Sequence, residues 1–445
     1  MTTGYGIVTL APYVFNLGLG VNPAWVGFAL AVPRLVDLFT DPAAGWLSDR
    51  WRRRWGRTRF IGVGSVLSAG CFAATWWFPS GWSAHAYFWW LLVFATTTAI
   101  GWSILSVPWQ ALGFELTDNY HERTKLMAAS TLILGLAGII YGWSYAAASQ
   151  PWFGGLVTGA RWVGSAMAGS ILLTGLVTAR VCRESPLADE PAEPEETRLA
   201  RLASGAPRAG AVAAVRRVLG SRPFLLVASA VVLMCLGVFS VTGMTPYIGI
   251  FFVEHGDQAK GAILIGASST VWQGTCLVVS RLVAPVERRL GKAGALMLFL
   301  GLALLGNLLK WVCYNPSLPA LYVVPAFFFA LGFTGLWTLA PSMVADICDY
   351  EAAETGRRDD GMFAGFYSWM IKLGSTIAFA VGGLLINATG FNAAAGGVQA
   401  SGTVLKMRIV DFSVPALTIA LSLWLVSRYP LTETVMKSLR AKAAA

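Results

Sequence analysis

Twelve apolar runs of bilayer-crossing length leave this chain no ordinary soluble fold. They lie at 4–20, 25–48, 60–78, 87–114, 127–148 and 162–181. After a polar stretch they resume at 224–253, 261–284, 295–314, 321–347, 362–388 and 409–427. A spanning helix needs about 20 apolar residues, and within hydrocarbon the backbone must satisfy its own hydrogen bonds. The expectation is an all-α membrane protein with twelve transmembrane helices in two six-helix halves. Composition agrees: only 13% of the 445 residues are charged, against about 25% in soluble domains. Disorder, a collagen-like repeat, a disulfide scaffold and an ordinary cytosolic enzyme are excluded. The 19 Trp and 48 Gly suit interfacial anchoring and close helix packing. The six Cys show neither paired nor metal-ligand spacing and read as small hydrophobes. No cleavable signal peptide precedes the first run, which reads as a retained helix.

The organisation follows from these runs. Residues 1–182 form an N-terminal six-helix bundle and 223–430 a C-terminal one. Between them, 183–222 is rich in Pro, Glu, Arg and Ala and reads as a cytoplasmic linker; 431–445 is a cytoplasmic tail. The net charge of +10 is concentrated on one side of the membrane. Arg50, Arg52, Arg53, Arg54, Arg57, Arg59, Arg123, Lys125, Arg288, Arg289, Lys292, Arg357, Arg358, Lys437, Arg440 and Lys442 share that side with most of the linker, while the opposite loops hold Arg161, Lys260, Lys406 and Arg408. Cations favour the cytoplasmic face, so a multi-pass protein of the cell membrane with both termini cytoplasmic is expected.

Both halves carry a basic turn between their second and third helices. In the first, Asp49-Arg50 leads to Gly56-Arg57; in the second, Arg288-Arg289-Leu290-Gly291-Lys292 stands at the matching place. A feature repeated in two six-helix halves points to internal duplication, the architecture of the major facilitator superfamily.

Ionisable side chains at membrane depth are costly and mark function. Arg34, Asp37 and Asp41 lie inside the second run, on one helical face by their spacing of three and four. Two carboxylates one turn apart must share a proton, pair with Arg, or chelate a cation. Asp37, Asp41 and the Thr40 hydroxyl could supply three oxygens to an alkali ion, and Pro33 and Pro42 could distort the helix and free carbonyls. Lys372, inside the eleventh run, needs a cavity or a carboxylate, and the second helix offers one. Lys310, near a helix end beside Trp311, reads as a snorkelling anchor. Asp346, Asp349 and Glu351 precede Arg357 and Arg358, and form either a solvated loop or a salt-bridged inner gate together with Asp49, Arg50 and Arg57.

Four stretches resemble the glycoside–pentoside–hexuronide:cation symporters, the family of melibiose permease. They are Arg34-Leu-Val-Asp37-Leu-Phe-Thr40-Asp41-Pro42 running on to Asp49-Arg50 and Gly56-Arg57; Trp337 leading to Met343-Val-Ala-Asp346-Ile-Cys-Asp349-Tyr350-Glu351; Gly361 to Lys372-Leu-Gly374; and Tyr429-Pro430-Leu431-Thr432-Glu433. The resemblance implies alternating access and cation binding at Asp37 and Asp41, which would hold Na⁺ if sodium couples, with Thr40 and Ser103 completing the shell. It implies that Lys372 links cation and solute sites and that Trp337 lines the solute. The galactoside-gripping acid and arginine positions of helices 4 and 5 are here Ser106 and Thr131, and the helix-1 acid would fall at or before Met1, so a different solute is implied.

The expected function is Na⁺- or H⁺-coupled symport of a sugar, glycoside or related small solute, with no enzyme activity, no cofactor beyond the coupling cation, no nucleic-acid partner and a monomeric state in the lipid bilayer. The related lysophospholipid transporters share the same acids and lysine, leaving an amphiphilic solute as the alternative. Further alternatives are a prenyltransferase-type enzyme, suggested by Asp37-x₃-Asp41, and a non-transporting sensor.

Overall fold

The computed structural model describes residues 2–115, 120–182, 216, 218–355, 360–392, 399–431 and 435–436; the side chains at 2–6, 49, 52–53, 113–115, 120–128, 355, 360–361 and 401 lie outside it. The linker, apart from its last residues, Arg357 and most of the tail therefore also lie outside the described residues.

Among the described residues, twelve helices of ten residues or more follow in chain order. The first half contains α1 (Thr2–Ala11), α2 (Pro23–Arg50), α3 (Arg52–Trp76), α4 (Ala84–Glu115), α5 (Tyr120–Gly142) and α6 (Leu156–Val181). The second contains α7 (Arg222–Thr242), α8 (Gln258–Val279), α9 (Val283–Cys313), α10 (Val324–Thr355), α11 (Asp360–Ala388) and α12 (Ser401–Ser427). Ten are long and apolar enough to cross a membrane; α1, whose apolar part is Ile7–Gly18, and α3, which opens on basic residues, fall short of that measure.

The halves repeat each other in packing. In the first, α2 and α3 pack on α4, and α3 on α6; in the second, α8 and α9 pack on α10, and α9 on α12. Local devices repeat too. Both α1 and α7 give way to a π-helical turn, Pro12–Gly18 and Gly249–Val253. Both basic turns hinge on a glycine in the same rare conformation, Gly56 at φ 69°, ψ 160° and Gly291 at φ 71°, ψ 169°. That region is essentially closed to residues with a Cβ, which explains why glycine precedes Arg57 and Lys292 in both halves.

The halves meet along two seams, α2 on α11 and α5 on α8. Lipid gives helices no hydrophobic reason to associate, so close contact relies on small residues. A Cβ on Gly27 would lie 2.8 Å from Gly383 Cα, and one on Gly142 would lie 2.3 Å from Ser269 Cβ. At the end opposite the basic loops the apolar core runs continuously from one half into the other, joining Tyr13, Phe15 and Tyr145 to Tyr247, Ile250 and Phe391. The remainder of the second half has a separate core built on Phe224, Met234, Leu296, Phe299 and Leu336.

α2 runs unbroken through Pro33 and Pro42. Each proline removes one backbone donor, leaving the carbonyls of Ala29 and Leu38 without their helical partner, while the carboxylates project from this continuous helix.

Gly56→Ala and Gly291→Ala are each expected to cost about 1–3 kcal/mol of stability through backbone strain alone. No atom lies within 4 Å of a Cβ placed on Gly291. Thermal unfolding in detergent checks this, with the helical and uncrowded Gly365→Ala expected to be neutral.

Candidate functional site: a charged cluster between the two halves

The α2 face places Arg34, Asp37 and Asp41 in line, as their spacing requires. Arg34 Nη1 donates to Asp37 Oδ2 at 3.5 Å. Asp41 reaches in two directions: Ser103 on α4 donates to Oδ1 at 2.5 Å, and Lys372 on α11 donates to Oδ2. The Lys372 ammonium also lies 3.4 Å from the Asp37 carbonyl oxygen. Thr40 and Ser103 hydroxyls stand 3.0 Å apart, with Thr40 donating to the Val36 carbonyl at 3.2 Å.

Three consequences follow. The Asp41–Lys372 pair joins the two halves across the α2–α11 seam. With Arg34 and Lys372 facing the two carboxylates, the cluster has no formal net charge. Both Asp41 and Lys372 side chains are about one-third exposed, at 33% and 31%, whereas Asp37 is buried. Asp37 Oδ1 is buried with no hydrogen-bond partner among the described residues. A buried carboxylate oxygen without a partner is costly and leaves an acceptor free for a cation or proton. Asp37, Thr40, Asp41 and Ser103 thus form a set of oxygens of the kind hard cations take.

The other expected residues are distributed as follows. Ser106 is buried on α4, and Thr131 is exposed on α5. Trp337 is partly exposed on α10, its ring centroid 6.0 Å from Phe333, which lies 5.4 Å from Trp272 and 5.7 Å from Phe239. Arg50 stacks over Trp46 at 5.4 Å, and Arg57 is buried. Asp346 pairs with Lys292 at 2.6 Å, an α9–α10 contact inside the second half. Lys292 donates also to the Ser342 carbonyl. The Asp49 side chain and Arg357 lie outside the described residues.

Lys310 is not a snorkelling anchor. Its side chain is 6% exposed and pairs at 3.0 Å with Asp411 of α12, itself 2% exposed. Opposite charges inside two apolar runs were the available signal, but a cation one turn from a helix end does not reveal which way it points. Two further polar residues at the end opposite the basic loops, Asn16 and Tyr247, also carry no motif. Tyr247 Oη lies 3.1 Å from both the Pro12 carbonyl and Asn16 Oδ1, bridging α7's continuation to α1's.

A model of the MFS/sugar transport protein family matches residues 1–433. The chain belongs to that family. It is 24% identical to a putative glycoside/cation symporter, YagG, of Escherichia coli strain K12, over 97% of this chain and 89% of the relative. It is 23% identical to the isoprimeverose transporter of Lactiplantibacillus pentosus, over 86% of this chain and 77% of that one. Among solved structures, the inward open xylose transporter XylE from E. coli aligns with a TM-score of 0.63 at 13% identity, over 99% of this chain and 96% of that chain. That likeness shows the fold, and the family is one of transporters.

Asp41→Asn and Lys372→Met are each expected to lower stability, and the double variant to lose less than the sum. Neighbours in one charged network typically couple by about 0.5–3 kcal/mol. A double-mutant cycle of thermal unfolding in detergent measures the coupling, and strict additivity would contradict the pair.

Proposed function

We propose that this protein is a cation-coupled symporter of a carbohydrate or glycoside, working by alternating access with the basic end cytoplasmic. One observation carries the reading: across the α2–α11 seam a carboxylate–ammonium pair lies beside Asp37 Oδ1, a buried carboxylate oxygen with no hydrogen-bond partner among the described residues. A purely structural pair would leave no buried carboxylate oxygen unpartnered next to it. The names of the relatives, a glycoside/cation symporter and an isoprimeverose transporter, support the solute class.

The chemistry differs from simple relief of repulsion, because Arg34 and Lys372 already face the two acids. A coupling cation, Na⁺ or H⁺, adds a positive charge to a cluster with none to spare. It binds Asp37 Oδ1, Asp41 and the Thr40 and Ser103 hydroxyls, and Lys372 loosens from Asp41. The freed ammonium on α11 becomes a donor for a solute hydroxyl, with Trp337 as an apolar platform. Each ligand thereby raises affinity for the other, as linkage requires. The two halves then rock about this point. One chain holds both halves, so a monomer suffices. Against the Asp37-x₃-Asp41 likeness to prenyltransferase motifs, Asp346, the obvious acid for a second cluster, is tied to Lys292.

The test is thermal stability of purified protein in Na⁺ against K⁺ at several pH values, beside Asp37→Asn. A ligand specific to the folded state stabilises by about 2.7 kcal/mol at a hundredfold excess over Kd. A Na⁺-specific rise lost in Asp37→Asn supports sodium coupling, and a pH-dependent rise lost in the variant supports proton coupling. Insensitivity to both would overturn the cation site.

A further inference from the structure

We propose that the buried Lys310–Asp411 ion pair is a positioning device for transport. It holds Thr245, and through Thr245 the segment of chain that closes the outer end between the halves. The inference rests on the alternating-access reading above.

The segment is a break in a spanning helix. α7 stops at Thr242, turns at Gly243, and resumes as a short helix, Thr245–Ile248, followed by the π-helical turn Gly249–Val253. Broken backbone at membrane depth needs partners from elsewhere. Thr245 collects them. Its hydroxyl lies 2.5 Å from Asp411 Oδ1 and 3.1 Å from the Val241 carbonyl, and its own carbonyl accepts from Tyr322 Oη at 3.0 Å. Asp411 in turn is held by Lys310, whose ammonium lies 3.0 Å from Oδ2, 3.3 Å from the Asp411 carbonyl and 5.0 Å from the centre of the Phe329 ring.

Two residues beyond Thr245, Tyr247 makes the contact between halves. Its hydroxyl donates towards the Pro12 carbonyl and Asn16 Oδ1, while Asn16 Nδ2 donates to the Val21 carbonyl at 2.6 Å. Its ring stacks on Phe391 at 4.8 Å and meets Tyr13 edge-on at 6.1 Å. An unbroken set of contacts thus runs from α9 and α12, through Thr245 and Tyr247, to α1 of the other half.

Stability alone does not account for the pair. Two charges this deeply buried lose their hydration, and apolar replacement of such pairs is often neutral or stabilising. What an apolar pair cannot supply is a charged acceptor for Thr245. Lys310 is the counter-ion paired with the carboxylate that accepts from Thr245.

The test uses the small cavity beside this closure, which Tyr247 helps to line. It measures about 50 Å³ and lies between the halves, bordered by Asn16, Gly27, Ser240, Tyr247 and Gly383. Ser240 is buried there, and Ser240→Cys makes it a reporter for a bulky maleimide in detergent, with the unsubstituted protein measuring background from native cysteines. Into this background go Tyr247→Phe, Thr245→Val, Thr245→Ser and the double change Lys310→Met with Asp411→Leu, each also measured for thermal unfolding. Thr245→Val and the double variant are expected to speed labelling about tenfold, as loss of a hydrogen bond to a charged group implies. Thr245→Ser, which keeps the hydroxyl, is expected to label at the parental rate, and the double variant to unfold no earlier than the parent. Faster labelling in Tyr247→Phe alone, with Thr245→Val and the double variant both at the parental rate, would overturn this inference and leave the outer closure standing. Parental labelling in Tyr247→Phe as well would overturn the closure itself. Neither readout requires a solute or a cation, so failure of the symport reading is seen separately.

Discussion

Everything in this molecule depends on two seams where one half meets the other, α2 on α11 and α5 on α8. In lipid an apolar face gains nothing by leaving its surroundings, so these seams rely on close approach at glycines. Gly27 lies against the Gly383 backbone, and Gly138 and Gly142 make room for the Gln273 and Ser269 side chains. The same geometry makes the seams separable, because little apolar surface is exposed to water when small residues part. A transporter needs contacts that are specific and inexpensive to break, and small-residue packing provides both.

Onto one seam the fold adds charge. Arg34, Asp37, Asp41 and Lys372 come from two helices of different halves, and their balance means that neither half is complete alone. Asp41 faces both a hydroxyl of its own half, Ser103, and an ammonium of the other. Its state therefore registers how the halves stand relative to each other. The second charged pair, Lys310–Asp411, differs in kind. It lies wholly within one half and is sealed from solvent, and its partner Thr245 begins the short helix that follows the break in α7. On the reading proposed above, one pair sits where the halves move and the other where they are anchored.

Much of this was legible beforehand. Apolar length alone separates twelve helices, and the Arg-Arg-Leu-Gly-Lys turn in the second half repeats the basic turn of the first. The shared backbone of Gly56 and Gly291 gives that repeat its physical cause. The spacing of Arg34, Asp37 and Asp41 is decisive because a regular helix turns it into one face. α2 stays one continuous helix through Pro33 and Pro42, packed against α4, α11 and α3. Lys310 was misread because distance from a helix end says nothing about which face its side chain takes.

Sequence by itself marked out twelve helices, ten of them long and apolar enough to span, together with the repeated basic turn and the acids and lysine inside apolar runs. These follow from local rules: the hydrocarbon thickness, the 3.6-residue turn and the cost of burying charge. Only the tertiary structure decided which cation meets which carboxylate. Lys372 chooses Asp41 while Asp37 keeps Arg34, and Lys310 finds Asp411 about a hundred residues away. It also decided that Tyr247 and Asn16, unmarked in the sequence, close the end opposite the basic loops. Such pairings depend on the rotation and depth of packed helices relative to one another, which are set by the shapes of whole surfaces and not by any residue's neighbours in the chain.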